Sequence, residues 1–187
     1  MEGGNNRLYT DDNPKTTIKG TGYSDKKKAL KTLKLISNRS IVYQKSVVIT
    51  MLYRAKHHRN KTDNMKEAIK VYEQWLTKNK NKKRRYEYLK LSTIKKYEGL
   101  AKKYGILEIP SVKKFYETYK KYKGNKRKMA FIPVDKSDPT GYDFDSMRER
   151  FLQTKLKKIK RLYYPNGKYK GLPTKWYLIL IMFAYFT

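Results

Sequence analysis

Hydrophobic residues recur at intervals of three and four along the first part of the chain, which is the spacing of an amphipathic helix. One such stripe follows Ser24, a second follows Ser40 and a third follows Asn64, and these residue types cap helix N-termini. Glu67 stands three residues after Asn64, as in a capping box. The pattern predicts a three-helix unit over residues 24–78, preceded by a polar, flexible tail over residues 1–23.

Helical patterning continues beyond residue 78. Ser92 can cap a helix that Gly105 ends, and Pro110 is suited to the first turn of the next one. After an acidic loop over residues 135–145, Asp145 or Ser146 can cap a further helix.

Two segments depart from the helical pattern. Residues 128–134 predict a short edge strand, and Asn166-Gly167 between tyrosine-rich flanks predicts a hairpin turn. The expected fold is therefore mainly α, with compact helical bundles and a small C-terminal β-hairpin. Its later parts are a basic helical segment over residues 79–134, and an acidic loop, helix, hairpin and apolar segment over residues 135–187.

The apolar segment at the end, residues 176–186, contains no charged residue. As a helix it would span ~16 Å, about half of a bilayer's hydrocarbon thickness, so it cannot cross a membrane alone. Three interpretations stay open. The segment is a buried terminal helix or strand, an interfacial membrane anchor beside basic residues, or a segment that docks into a partner.

Charge narrows the choice of partners. The 187 residues carry 46 Lys and Arg against 16 Asp and Glu, a formal charge of +30, and they include no cysteine. Hydrophobic residues make up 39% of the chain, which is too many for a disordered polybasic tail. A charge this large calls for a polyanion: nucleic acid, an anionic membrane surface or an acidic protein. The polar N-terminus has no signal-peptide pattern, so secretion is not expected.

The cations are concentrated in two segments, a basic run over residues 78–85 and a stretch over residues 154–175 that holds eight Lys and Arg and no acid. Cations clustered in this way neutralise phosphates and release counterions, which gives affinity without sequence reading. The predicted nucleic-acid-binding residues are Lys78, Lys80, Lys82, Lys83, Arg84, Arg85, Lys155, Lys157, Lys158, Lys160, Arg161, Lys168 and Lys170. Tyr163, Tyr164 and Tyr169 flank the Asn-Gly turn and are the candidates for stacking on unpaired bases.

The sequence contains no strong pattern of catalytic residues. Asp143, Asp145 and Glu149 have the side chains to hold Mg²⁺, but helix capping explains the same residues. No nucleotide-binding loop or nucleophile–base pair stands out, so we expect no catalytic residue, no metal and no cofactor.

Residues 22–77 also carry a resemblance to a known group of proteins. The blocks Gly22-Tyr23-Ser24-Asp25, Tyr43-Gln44-Lys45, 51–58 and Trp75-Leu76 resemble small basic proteins of nucleocytoplasmic large DNA viruses, on the phycodnavirus and marseillevirus side. Residues 171–185 resemble a C-terminal block of the same proteins. The resemblance implies a viral origin and a virion or viral-DNA context. It implies no activity and assigns no residue a role.

Three functions follow from these patterns. The first is a non-enzymatic, sequence-nonspecific nucleic-acid-binding protein of a virion, a host nucleus or a cytoplasmic viral factory. The second is a minor capsid protein that docks acidic virion proteins, or a membrane through residues 176–186. The third, ranked last, is a small nuclease or another DNA-processing enzyme that uses Asp143 and Asp145.

Overall fold

Nine α-helices form the framework of the described part of the chain. The computed structural model describes residues 17–186. The first three helices are α1 (Lys26–Leu35), α2 (Ile41–Lys56) and α3 (Asp63–Lys78). The remaining helices are α4 (Leu91–Lys96), α5 (Glu98–Lys103), α6 (Pro110–Lys121), α7 (Lys126–Phe131), α8 (Phe144–Leu156) and α9 (Lys175–Met182). The prediction of a mainly α fold is confirmed.

Helices α1, α2 and α3 pack together as the sequence predicted, around a core that includes Ala29, Val48 and Tyr72. Asp25, Ser40 and Thr62 cap them, because each side chain accepts a backbone N–H from the first turn of its helix. Thr62 therefore takes the capping role that Asn64 was expected to have.

Part of the segment predicted as a flexible tail packs against these helices. Ile18 is 2% exposed in their core, and the Gly22 backbone N–H donates to the Thr32 hydroxyl over 2.9 Å. Residues 1–16, the rest of that predicted tail, lie outside the described residues.

Helix α9 occupies the centre of a second core, built with α4, α5, α6 and α8. Residues 177–184 are each at most 8% exposed, and only the two ends of the apolar segment, Trp176 and Phe186, remain substantially exposed. Of the interpretations of residues 176–186, the structure shows the buried terminal helix. Within residues 17–186, no helix combines the length and apolar character that crossing a membrane requires.

The predicted C-terminal β-hairpin is wrong, since the described residues contain no strand. The two arms form an isolated antiparallel bridge between Tyr163 and Pro173 and no ladder. A two-residue hairpin turn of the Asn-Gly type needs positive φ at both residues, whereas Asn166 has φ −141° and only Gly167 is positive, at 77°. Pro165 and Pro173 also lack the N–H groups that would extend a ladder.

The edge strand predicted over residues 128–134 is also absent. Asn125 accepts the backbone N–H groups of Arg127 and Lys128 and so begins α7 in that place. Asp143, rather than Asp145 or Ser146, caps α8, and Ser146 completes a capping box with it. The helix expected from Ser92 to Gly105 is divided at Tyr97 into α4 and α5.

Candidate nucleic-acid interface

The basic run, residues 78–85, follows α3 on the surface. Lys78, Lys80, Lys82, Lys83 and Arg85 are all exposed. The Lys45 ammonium fixes the run, because it donates to the backbone carbonyls of Lys80 and Lys82 over 2.9 and 2.6 Å. Five of the six predicted cations in this run are therefore accessible to a polyanion.

Arg84, the sixth predicted cation, is bound inside the protein by Asp145 and is not free at the surface. Its Nε donates to both carboxylate oxygens of Asp145 over 2.9 and 3.0 Å, and its Nη2 donates to the Lys126 carbonyl over 3.2 Å. The two side chains are only 10% and 3% exposed. Burial acts against the charged guanidinium, but the Asp145 carboxylate outweighs it and raises the pKa of Arg84. A guanidinium committed in this way is not available to a phosphate.

Two of the three carboxylates considered for Mg²⁺, Asp143 and Asp145, are each bound by an arginine. Asp143 accepts from Arg39 Nε over 3.1 Å and from the backbone N–H groups of Ser40 and Ser146 over 2.8 and 2.6 Å. Both side chains of the Arg39–Asp143 pair are fully buried, and Asp145 is held by Arg84. These pairs join α8 to the first three helices. Within residues 17–186, no group of three His, Asp or Glu side chains is placed to hold a metal ion.

The cations of residues 155–175 differ from those of the basic run in having no ion-paired member among residues 17–186. We call residues 155–175 the basic loop: they run from the end of α8 to the start of α9 and carry eight Lys and Arg without an acid. Lys155 is partly buried, and the other seven cations are exposed. None of the eight forms an ion pair with another described residue. Their charge is therefore uncompensated within residues 17–186.

Backbone hydrogen bonds shape the basic loop although it has no strands. The Tyr164 N–H donates to the Leu172 carbonyl over 3.0 Å, and the Gly171 N–H donates back to the Tyr164 carbonyl over 2.9 Å. The Thr174 N–H donates to the Leu162 carbonyl over 2.8 Å. Gly171 has φ 79°, a left-handed conformation that other residues adopt at a cost. The two arms are thus tied together beside the N-terminus of α9.

The three candidate stacking tyrosines already make ring contacts inside the protein. Tyr163 contacts the buried Tyr177 edge-on at 5.3 Å between ring centroids, and Tyr169 contacts Tyr104 edge-on at 5.9 Å. Tyr164 lies 5.8 Å from Tyr169. Tyr163 and Tyr169 keep 41% and 38% of their surface exposed. These rings anchor the basic loop and leave part of their faces accessible.

An open groove of about 730 Å³ runs along the first arm of the basic loop. The residues that line it are Arg161, Leu162, Tyr163, Tyr164, Pro165 and Asn166. The residues around this shallow, open groove include a cation, two tyrosines and an asparagine, residue types that can contact a phosphate and a base.

Trp176 is an aromatic residue of this surface that was not predicted from the sequence as a candidate for binding. Trp176, which was counted with the apolar segment, is 55% exposed in the first turn of α9. The Lys155 ammonium lies over its ring, 5.0 Å from the centroid. The Thr174 cap places residue 176 in the first turn of α9, but Tyr177 and Leu178 of the same turn are fully buried, so the exposure of Trp176 depends on tertiary packing.

No protein-family model, curated protein or solved structure matches this chain. The resemblance to viral proteins therefore stays a prediction.

Proposed function

We propose that this protein binds nucleic acid without sequence specificity, through contacts between Lys or Arg and phosphates, with the basic loop as its principal surface. One observation carries the proposal. The eight cations of the basic loop have no ionic partner among residues 17–186, in a stretch that itself contains no acid. Phosphates would supply the missing negative charge and release counterions on binding.

The chemistry of the accessible cations favours phosphate contact over base reading. Seven of the eight cations in the basic loop are lysines, which act as point charges on phosphates. Bidentate reading of base edges is mainly the work of arginine. Arg39, Arg84 and Arg148 are already bound inside the fold by carboxylates or carbonyls. A coating or condensing role on nucleic acid fits this distribution better than recognition of a particular sequence.

In the minor capsid alternative the basic surface docks acidic capsid proteins or a membrane, and the apolar C-terminal segment inserts into a neighbour. Residues 177–184 are packed in the protein's own core, so the apolar segment offers a membrane or a capsid partner mainly its two ends. No observation in the described residues favours this role over phosphate binding. A viral setting for the proposed function follows from the sequence resemblance alone.

The test is a set of salt titrations with three matched triple variants. Lys157, Lys158 and Lys160 are changed to Gln in the basic loop, Lys82, Lys83 and Arg85 in the basic run, and the exposed Lys27, Lys31 and Lys34 on α1 as a control. Each variant loses three positive charges, so the net charge is equal in all three. Binding of labelled duplex DNA is measured from about 50 to about 300 mM salt.

The basic-loop variant should lower the slope of log affinity against log salt by about two to three, as expected for three lost phosphate contacts. The basic-run variant should lower the slope less, because Glu87 and Glu149 lie near that run. The α1 variant should leave the slope almost unchanged. Equal slopes in all three variants, or loss of all binding by about 150 mM salt, would contradict the proposal.

A further inference from the structure

Trp176 combines an exposed ring with a rigid support. More than half of its surface is exposed, although the next eight residues are buried. It extends from α9, whose other side chains fill the second core, so the backbone beneath the indole is held in place. A single exposed apolar side chain is common on protein surfaces, so the groups around the ring decide whether Trp176 can bind a ligand.

The surroundings of the indole are cationic. The Lys155 ammonium lies over the ring at 5.0 Å from its centroid, whereas the ammonium of the neighbouring Lys175 lies over the Tyr104 ring, 6.0 Å from that centroid. The Thr174 hydroxyl donates to the Arg161 carbonyl over 3.1 Å, which brings the groove arm of the basic loop beside the same helix turn. A nucleotide has an anionic phosphate and a flat base joined by one sugar, and this surface offers a partner to each.

We propose that Trp176 is the stacking platform for an unpaired base, and that the protein therefore prefers single-stranded nucleic acid over duplex. The inference rests on the proposed function and adds the substrate class. In a duplex the base faces are covered by their neighbours, so an indole on the surface reaches a base face only where the strand is single. Lys155 and Arg161 then hold the phosphates beside the stacked base.

Tyr163, Tyr164 and Tyr169 are weaker platforms than Trp176. Each has a ring contact with another tyrosine of the protein, and their exposure is lower than that of Trp176. Tryptophan also has the larger π face and the strongest attraction to cations. We infer that these tyrosines shape the groove, while Trp176 makes the principal base contact.

Intrinsic fluorescence tests this contact directly, because the chain has two tryptophans and the other, Trp75, packs in the first core. In a Trp75→Phe variant all tryptophan emission comes from Trp176. A thymine oligonucleotide added near physiological salt should quench this emission strongly. Inorganic polyphosphate, which carries the charge without bases, should occupy the cations with little quenching.

Affinity measurements give a second readout. Trp176→Ala should weaken binding of the thymine oligonucleotide by about 5- to 100-fold and leave duplex binding nearly unchanged. Trp176→Phe should recover part of the loss. Tyr53→Ala, which removes a ring 60% exposed on α2, is the matched control and should change neither affinity.

The outcomes separate the two proposals. Salt-resistant binding of both DNA forms with no quenching, and with no effect of Trp176→Ala, overturns the stacking inference and leaves the proposed function standing. Equal quenching by polyphosphate and by the oligonucleotide also overturns it. Absence of binding near physiological salt overturns both.

Discussion

The basic run and the basic loop look alike in the sequence but differ in the folded protein. In the basic run, Arg84 is drawn inward by Asp145, and Glu149 and Glu87 add negative charge nearby. In the basic loop, eight cations lie in a stretch without one acid, and none is ion-paired among residues 17–186. The density of cations along a chain therefore does not measure the charge that a partner meets.

The comparison extends to the two kinds of cation. Arg148 is fully buried, and its guanidinium donates to the carbonyls of Phe183, Tyr86, Glu87 and Ala184 over 2.6 to 2.9 Å. Burial lowers its pKa, but its planar fork of five donors fits several acceptors at once. Lysine offers a single, strongly hydrated charge, so it stays at the surface. Arg39, Arg84 and Arg148 thus join parts of the fold, while the lysines supply most of the external positive charge.

The largest expected effect concerns neighbouring arginines of the basic run. Arg84→Gln should lower the free energy of unfolding by about 3–5 kcal/mol, because it leaves the buried Asp145 carboxylate without its partner. The exposed Arg85→Gln should change it by less than about 0.5 kcal/mol. Urea unfolding followed by circular dichroism measures both. Equal stabilities would mean that the two arginines are equivalent and would remove the distinction drawn for this run.

A smaller effect is expected from Gly171→Ala, which tests whether the conformation of the basic loop depends on this glycine. Gly171→Ala should destabilise the loop by about 1–2 kcal/mol, because Gly171 has φ 79° and an alanine is strained there. An added Cβ meets no atom within 4 Å, so the cost is conformational rather than steric. Limited proteolysis should then cut within the loop faster than in the wild type.

Gly99→Ala is the control for this substitution. Gly99 lies in α5, and a Cβ there also has open space, so alanine should stabilise the helix by up to about 1 kcal/mol. Unchanged proteolysis in Gly171→Ala would show that the loop conformation does not depend on this glycine.

The smallest expected effect comes from Glu149→Gln, which removes a negative charge near the basic run and so makes its surroundings more like those of the basic loop. Burial, and then the nearby Asp145, raise the pKa of Glu149, whose carboxylate also lies within the field of Arg85. Glu149→Gln removes this negative charge and should strengthen duplex binding at neutral pH by about twofold. A difference of opposite sign, measured by fluorescence anisotropy, would contradict the role given to this acid.

The pH dependence of Glu149 has a definite sign. Its folded pKa lies above the unfolded value, so the folded protein holds the proton more strongly, and stability falls as the pH rises through the window between the two values. As the pH is lowered through the raised pKa, the wild-type carboxyl becomes neutral. The difference in DNA affinity between wild type and Glu149→Gln should therefore shrink as the pH is lowered through the raised pKa of Glu149.

Single residue types predicted the helix ends correctly where the backbone conformation depends only on neighbouring residues. Ser40 caps α2, Gly105 takes the left-handed conformation after α5, and Pro110 begins α6, each as its residue type predicts. The hairpin prediction failed because the backbone at Asn166 is extended, and α7 replaced the predicted edge strand because Asn125 caps it. In both places a neighbouring residue or a tertiary contact outweighed the propensity of a short segment.

The sequence predicted only part of the candidate interface, because some of its features depend on contacts between residues that are distant along the chain. The clustering of cations in residues 155–175 without a local acid is visible in the sequence, whereas only the tertiary structure shows that no distant acid pairs with them among residues 17–186. Arg84 could not be separated from its neighbours, since its partner Asp145 is 61 residues away. Trp176 was hidden among apolar residues, because the surface of a helix that enters a core depends on the elements packed around it.

The sequence by itself determined the charge of the protein, the spacing of its helices and the absence of acids in the basic loop. These properties depend only on which residues stand near one another along the chain. The tertiary structure alone decided which cations are neutralised inside the fold and which ring of the apolar segment stays outside. Those outcomes depend on residues far apart in sequence, whose approach is set by the packing of the two cores and the desolvation of the groups between them.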